Sequence, residues 1–143
     1  MINNKILIVD DEPDICDLIS DILSENGYSV ESAFSKDEAI KVMENSGISL
    51  VITDIWMNDN EKEGFELLEW CKAYNALTPV LIMSGHGTIE YAMNAAKNGA
   101  YDFLEKPFNS DRLLFLVKKA LQERDLKIKL CRLFLRNNQI DCT

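Results

Sequence analysis

Asp10, Asp11, Asp54, Ser84 and Lys106 stand at the ends of apolar runs, in KILIVDD, SLVITD, PVLIMS and YDFLEKP. Gathered in one crevice, three carboxylates, a hydroxyl and an ammonium describe a hard-cation site with an anion pocket beside it. Carboxylate oxygens suit Mg²⁺, which takes one or two of them, keeps waters, and completes its octahedron with a phosphoryl oxygen. Crowded carboxylates raise the pKa of at least one of them by mutual repulsion, so a metal or Lys106 must compensate. Such a set supports a nucleophilic reaction in which one ionised aspartate attacks phosphorus in line and becomes an acyl phosphate. The cation and the lysine then stabilise charge on the phosphoryl oxygens.

The five residues meet only if their runs are neighbouring strands, and the chain alternates strand and helix patterns five times. Residues 5–11 form a near-continuous apolar run, which fits a parallel strand buried on both faces. Pro13 suits a first helical turn, and Ile15, Leu18, Ile19, Ile22 and Leu23 keep helical spacing until Asn26-Gly27. Strand YSVESA (28–33) precedes a capping box, Ser35 with Glu38, and a helix ending near Ser46-Gly47. Strand SLVITD (49–54) leads through the polar loop WMNDNEKEG into a helix with Phe65, Leu67, Leu68 and Cys71. Strand PVLIMS is followed by a small-residue helix from about Thr88 to Asn98, and 101–107 is the fifth strand. Asn109 or Ser110 caps a last helix from Asp111 to about Asn137. The fold class is therefore α/β, a doubly wound five-stranded parallel sheet with flanking helices and an extended C-terminal helix. In such sheets ligands bind beyond the carboxyl ends of the strands, where these polar residues stand.

Four motifs, VDDE (9–12), TDIWM (53–57), SGHG (84–87) and EKPF (105–108), occur in an order and spacing that resembles a receiver domain of a bacterial two-component response regulator. The resemblance covers residues 4 to about 121, and it is the joint occurrence that is specific. It implies a flavodoxin/CheY-like sheet of order 2-1-3-4-5, Mg²⁺ dependence, and phosphoryl transfer from a sensor histidine kinase. By position, Asp54 matches the phosphoacceptor, Asp11 the direct metal ligand, and Asp10 the acid that binds metal through water. The backbone carbonyl of Trp56 matches the remaining protein ligand. Ser84 matches the hydroxyl that hydrogen-bonds the phosphoryl group, Lys106 the lysine that pairs with it, and Phe103 the switch aromatic. The Lys106-Pro107 bond is cis in this family. The chain departs from the common pattern after Asp54: Asn58 replaces a proline, and Gly64 lies ten residues past the acceptor, so the loop is about two residues longer. With MSGHG and GAYDFLEKPF, that loop resembles the NtrX/NtrC group of nitrogen-regulation response regulators, which implies an NtrY-like kinase and control of transcription.

A chain of 143 residues with 47% hydrophobic and 27% charged residues makes one ordinary globular domain. Cys16, Cys71, Cys131 and Cys142 form no CxxC and His86 is the sole histidine, so zinc and redox spacings are absent, and the cysteines read as buried fillers or tail thiols. His86 itself reads as a loop residue. The start MINNKILIVDD lacks the pattern of a signal peptide, which points to the cytoplasm, and no run is long enough to span a membrane. The net charge of -9 argues against nucleic-acid binding by this chain. The balance is uneven: residues 1–117 carry 8 Lys/Arg against 21 Asp/Glu, whereas 118–136 carry 7 against 2.

The last helix outruns one face of a small sandwich, so residues 122–143 read as an extension, a linker toward an absent output domain or a dimerisation helix, with 1–121 as the receiver. Leu114, Leu121, Ile128 and Leu135 recur every seven residues with Val117, Arg124, Cys131 and Asn138 between them. That is a coiled-coil register, and it leads us to expect a parallel homodimer through helix four, strand five and this helix. Each feature also has an ordinary reading. Asp10 and Asp11 suit a helix N-terminus, Ser84 a turn, Lys106 a surface charge, and Phe103 plain core packing. A Mg²⁺-dependent phosphohydrolase or phosphotransferase with an aspartate nucleophile is the rival function, but such enzymes use DxD on strand one and a cap domain, and this chain has neither. A receiver used only for docking is the third reading. The chemistry is performed on the chain itself, so we do not expect an enzyme in the turnover sense.

Overall fold

The computed structural model describes residues 4–58, 61–85 and 89–138. Five strands alternate with five helices: β1 Lys5–Val9, α1 Pro13–Glu25, β2 Ser29–Ala33, α2 Lys36–Asn45, β3 Leu50–Asp54, α3 Glu61–Tyr74, β4 Val80–Ser84, α4 Ile89–Lys97, β5 Asp102–Glu105 and α5 Ser110–Asn138. The strands form one parallel sheet of order β2-β1-β3-β4-β5, the arrangement implied by the receiver resemblance. His86, Cys142 and the expected first helical residue Thr88 lie outside the described residues.

The apolar runs are continuous because the sheet is covered on both faces. Leu7, Val9, Val51, Val80 and Ile82 pack toward α2, α3 and α4 through Met43, Leu67 and Ala95. Their alternates Ile6, Ile8, Leu50, Ile52 and Leu81 pack toward α1 and α5 through Ile19, Leu23 and Val117. The three central strands β1, β3 and β4 are buried almost throughout. A fully buried Leu or Ile is worth ~1.5–3 kcal/mol, so these strands hold the sheet edge from which the polar residues project.

The local signals act much as read. Ser35 Oγ accepts the Glu38 N–H at 3.2 Å, while the Glu38 carboxylate accepts the N–H of Phe34, so the box reaches back one residue further than its usual form. Of the two candidates for the last cap, Asn109 serves, its Oδ1 accepting the Arg112 N–H at 2.7 Å. The Lys106-Pro107 bond is cis. β5 ends at Glu105, two residues before the expected boundary, ahead of a proline that has no N–H to offer a ladder.

The extended helix differs from expectation in what its heptads face. Leu121 and Val117 are buried in the chain's own core with Leu114 packed beside them. Among the described residues beyond, the exposed large apolar side chains are Leu126, Leu130, Leu133 and Phe134, on other faces of α5. A helical period identifies an apolar stripe but not the surface that covers it, and the receiver body takes the first half of this one.

Candidate functional site

Asp10 follows β1, Asp54 closes β3, Ser84 closes β4 and Lys106 follows β5, so parallel pairing brings residues remote in sequence to one sheet edge. One carboxylate oxygen from each of Asp10, Asp11 and Asp54 lies within 4.8 Å of the others. Lys106 reaches between two of them, donating from Nζ to Asp10 Oδ2 at 2.8 Å and to Asp54 Oδ2 at 3.0 Å. The lysine backbone is fixed too, because its N–H donates to the Ser84 carbonyl at 2.7 Å. Ser84 sits beside Met83, the register partner of Asp54, and among the described residues its buried hydroxyl has no partner. A buried hydroxyl left unpaired is costly, and one at an acid-lined crevice fits an absent oxygen-bearing ligand.

Electrostatics explain why the lysine is required. Asp10 is fully buried, and burial pushes its carboxyl up to about 6 despite the hydrogen bonds from Lys106 and from the Glu12 N–H. The charge of Asp54 adds to the rise. Burial disfavours the Lys106 ammonium, but its hydrogen bond to Asp10 and the charge of Asp54 outweigh that, and it is held above its ordinary value. The helix-capping reading of Asp10 fails, since Glu12 is the N-cap of α1 and no side chain caps it. Asp10 Oδ1 instead accepts the Glu12 N–H at 2.9 Å, which orients the carboxylate.

Two backbone N–H groups after Asp54, those of Trp56 and Asn58, reach these acids. Asp54 Oδ1 accepts the Trp56 N–H at 3.2 Å, and Asp11 Oδ2 accepts the Asn58 N–H at 2.9 Å. Asn58 has φ 53°, a left-handed conformation that asparagine tolerates better than most residues and that a proline ring does not allow. Gly64 has a packing role in α3. A Cβ there would lie 2.7 Å from Ile55 Cα and 2.8 Å from its carbonyl carbon, so the helix can approach β3 only with glycine. Through this glycine α3 meets the residue after the acceptor.

The donor set fits a hard divalent cation, being three oxygens from Asp10, Asp11 and Asp54 with no nitrogen or sulfur among them. Phe103 lies on β5 opposite Ile82, half-buried against the same core cluster as Trp56. Sequence reading missed Tyr91 on α4, whose ring lies 5.6 Å from that of Trp56 at 50° and connects the acceptor loop to α4. No spacing rule links residues 35 apart across two elements, but an exposed tyrosine on a small-residue helix was a visible oddity. Cys16 and Cys71 are buried, with thiols pushed up to about 11 and about 12 chiefly by burial, and so are unreactive fillers.

The family model for the response regulator receiver domain matches residues 6–118. An NtrX-like response regulator of Rickettsia bellii is 47% identical over 122 residues, covering 85% of this chain and 26% of that protein. The crystal structure of the receiver domain of NtrX from Brucella abortus is 44% identical with a TM-score of 0.78, covering 82% of this chain and 98% of that one. The solution structure of a beryllofluoride-activated NtrC4 receiver domain dimer is 36% identical with a TM-score of 0.77, covering 84% of this chain and 98% of that one. The chain spans about a quarter of the length of its Rickettsia relative. Among the described residues no helix is long and apolar enough to cross a membrane. The sheet order and the motifs on its edge are those of a known signalling module, and the chain belongs to the response regulator receiver domain family, in its NtrX type.

Proposed function

We propose that Asp54 accepts a phosphoryl group from the phosphohistidine of a sensor histidine kinase, and that its presence switches the α4, β5 and α5 surface. The observation that carries this reading is the Lys106 bridge between Asp10 and Asp54 beside the unpartnered hydroxyl of Ser84. In the transfer, an Asp54 oxygen forms a bond to phosphorus as the histidine N–P bond breaks and its electron pair returns to the imidazole. Lys106 pairs with the incoming phosphoryl oxygens, and Ser84 donates its hydroxyl to one of them. Mg²⁺, held by Asp11 and Asp54, by Asp10 through water and by the Trp56 carbonyl, would supply neutralising charge to the phosphoryl oxygens. Phosphorylation shifts a population only insofar as the active arrangement gives the phosphoryl group better contacts, with Ser84 and Phe103 as the switch residues.

Residues 1–121 act as the receiver and 122–143 as the extension that couples it onward to an output domain controlling transcription. An NtrY-like kinase is the donor, and a second copy of the chain docks on α4, β5 and α5. Exposed Tyr91 and Met93 on α4, and Phe115, Leu126, Leu130 and Leu133 on α5, supply the apolar surface for that dimer. The similarity to an activated receiver dimer supports it. This is signalling chemistry without turnover, in the cytoplasm, with no membrane or nucleic-acid contact by this chain.

Tryptophan emission tests the reading, because the Trp56 N–H is bonded to Asp54 whereas Trp70 lies on α3. Addition of Mg²⁺ changes the emission and beryllofluoride changes it again, and both responses vanish in Asp54→Asn. Folded protein that responds to neither ligand refutes a competent site.

A further inference from the structure

At the opposite rim of the sheet, where β4 and β5 begin, a cavity of about 240 Å³ opens between α3, the α4–β5 connection and α5. Its charged lining is Lys72, Arg124 and Lys127 against a single carboxylate, Glu123, in a chain whose net charge is -9. One further donor there is unmet among the described residues: Arg124 Nε is buried without a hydrogen-bond partner. The Arg124 side chain is only 16% exposed, and its ion pair to Asp125 is stretched to 3.9 Å. The aliphatic stem of Lys72 runs past Gly99, where a Cβ would lie 3.4 Å from its Cε, so a side chain at 99 would crowd the lysine. Burial, and then the charge of Lys127, hold the Lys72 ammonium below its ordinary value. Two cations brought together at a half-buried cavity repel each other unless an anion lies between them.

We propose that this cavity is a second anion site, which binds a phosphate group, free or as a monoester, between Lys72, Arg124 and Lys127. Three cations face the cavity against one lining carboxylate, and a guanidinium with ammonium donors is the pairing that tetrahedral oxyanions favour. The site lies where α5 leaves the body, since Ala120 and Leu121 are buried whereas Lys127 is exposed. Bound phosphate therefore ties the projecting half of α5 to α3 and to the start of β5. No residue is shared with the phosphoacceptor site, so the inference stands whether or not Asp54 is phosphorylated.

The test is amide NMR of the whole chain, titrated in separate arms with inorganic phosphate and with glycerol 3-phosphate, free of divalent metal and at constant ionic strength. The expected result is saturable shifts at Gly99–Tyr101 and at 120–127 in one or both arms. Binding weakens at least tenfold in Arg124→Gln and in the exposed, fold-neutral Lys127→Gln, and is unchanged in Asp54→Asn. Saturation by the monoester alone assigns an organic phosphate, and saturation by both assigns the phosphate group itself. Shifts that grow linearly without saturation in both arms, or that persist undiminished in Lys127→Gln, overturn the site.

Discussion

Asp10→Asn stabilises the metal-free protein even though it removes a residue of the site. The Asp10 carboxyl is pushed from 3.8 up to about 6, chiefly by burial, so holding it ionised costs folding free energy. At ~1.4 kcal/mol per tenfold change in proton affinity, the cost is on the order of 3 kcal/mol. The sign follows from proton binding. Between pH 3.8 and about 6 the folded state holds a proton that the unfolded state has released, so the wild-type chain loses stability as pH rises through that window. Asparagine has no such loss and still offers Lys106 an acceptor oxygen. The variant's advantage is therefore near zero at the acid end of the window and complete at pH values above it. For a domain of this size it amounts to roughly 10 °C in Tm. Thermal unfolding followed by circular dichroism in EDTA, for both proteins across the window, measures it. Saturating Mg²⁺ then narrows the gap, because the wild type gains more from the cation. A variant no more stable than wild type in EDTA above the window, or equally advantaged at its acid end, refutes the electrostatic reasoning.

Three further outcomes follow. Lys106→Met leaves the buried Asp10 and the nearly buried Asp54 without their shared cation, and chemical denaturation in EDTA shows a loss of about 3 kcal/mol, partly restored by Mg²⁺. Gly64→Ala drives a methyl into the Ile55 backbone and costs about 1–3 kcal/mol in the same assay, together with a slower phosphoryl acceptance measured separately. Replacing Leu126, Leu130 and Leu133 together by Gln removes exposed apolar surface, so light scattering in the presence of beryllofluoride reads monomer where the wild type reads dimer, with an unchanged unfolding temperature for the receiver body.

The strand ends were legible because a parallel strand covered on both faces has to stop being apolar where it leaves the sheet, and Asp54, Ser84 and Lys106 mark those points. Adjacency in the sheet then needed only the strand order, which the receiver resemblance supplied. Ser35, Glu38 and Asn109 were legible because capping is local chemistry. What stayed hidden depends on contacts between elements. The Trp56–Tyr91 ring contact, the Asn58 N–H on Asp11 and the close approach of Gly64 to Ile55 all arise from how the acceptor loop settles against α3 and α4. The α5 heptads were visible as a stripe, yet the sequence carries no mark of where the body's cover stops. Lys72 belongs to no motif and Arg124 only to the heptad register, so only the fold puts them on one cavity.

Covalent transfer to Asp54 is the centre of the account, and intact-protein mass spectrometry after incubation with a small acyl phosphate donor measures it directly. With Mg²⁺ the chain gains a single phosphoryl increment, which maps to Asp54 and is absent in EDTA and in Asp54→Asn. An increment that survives in Asp54→Asn, or folded, metal-replete protein that gains none, contradicts the account.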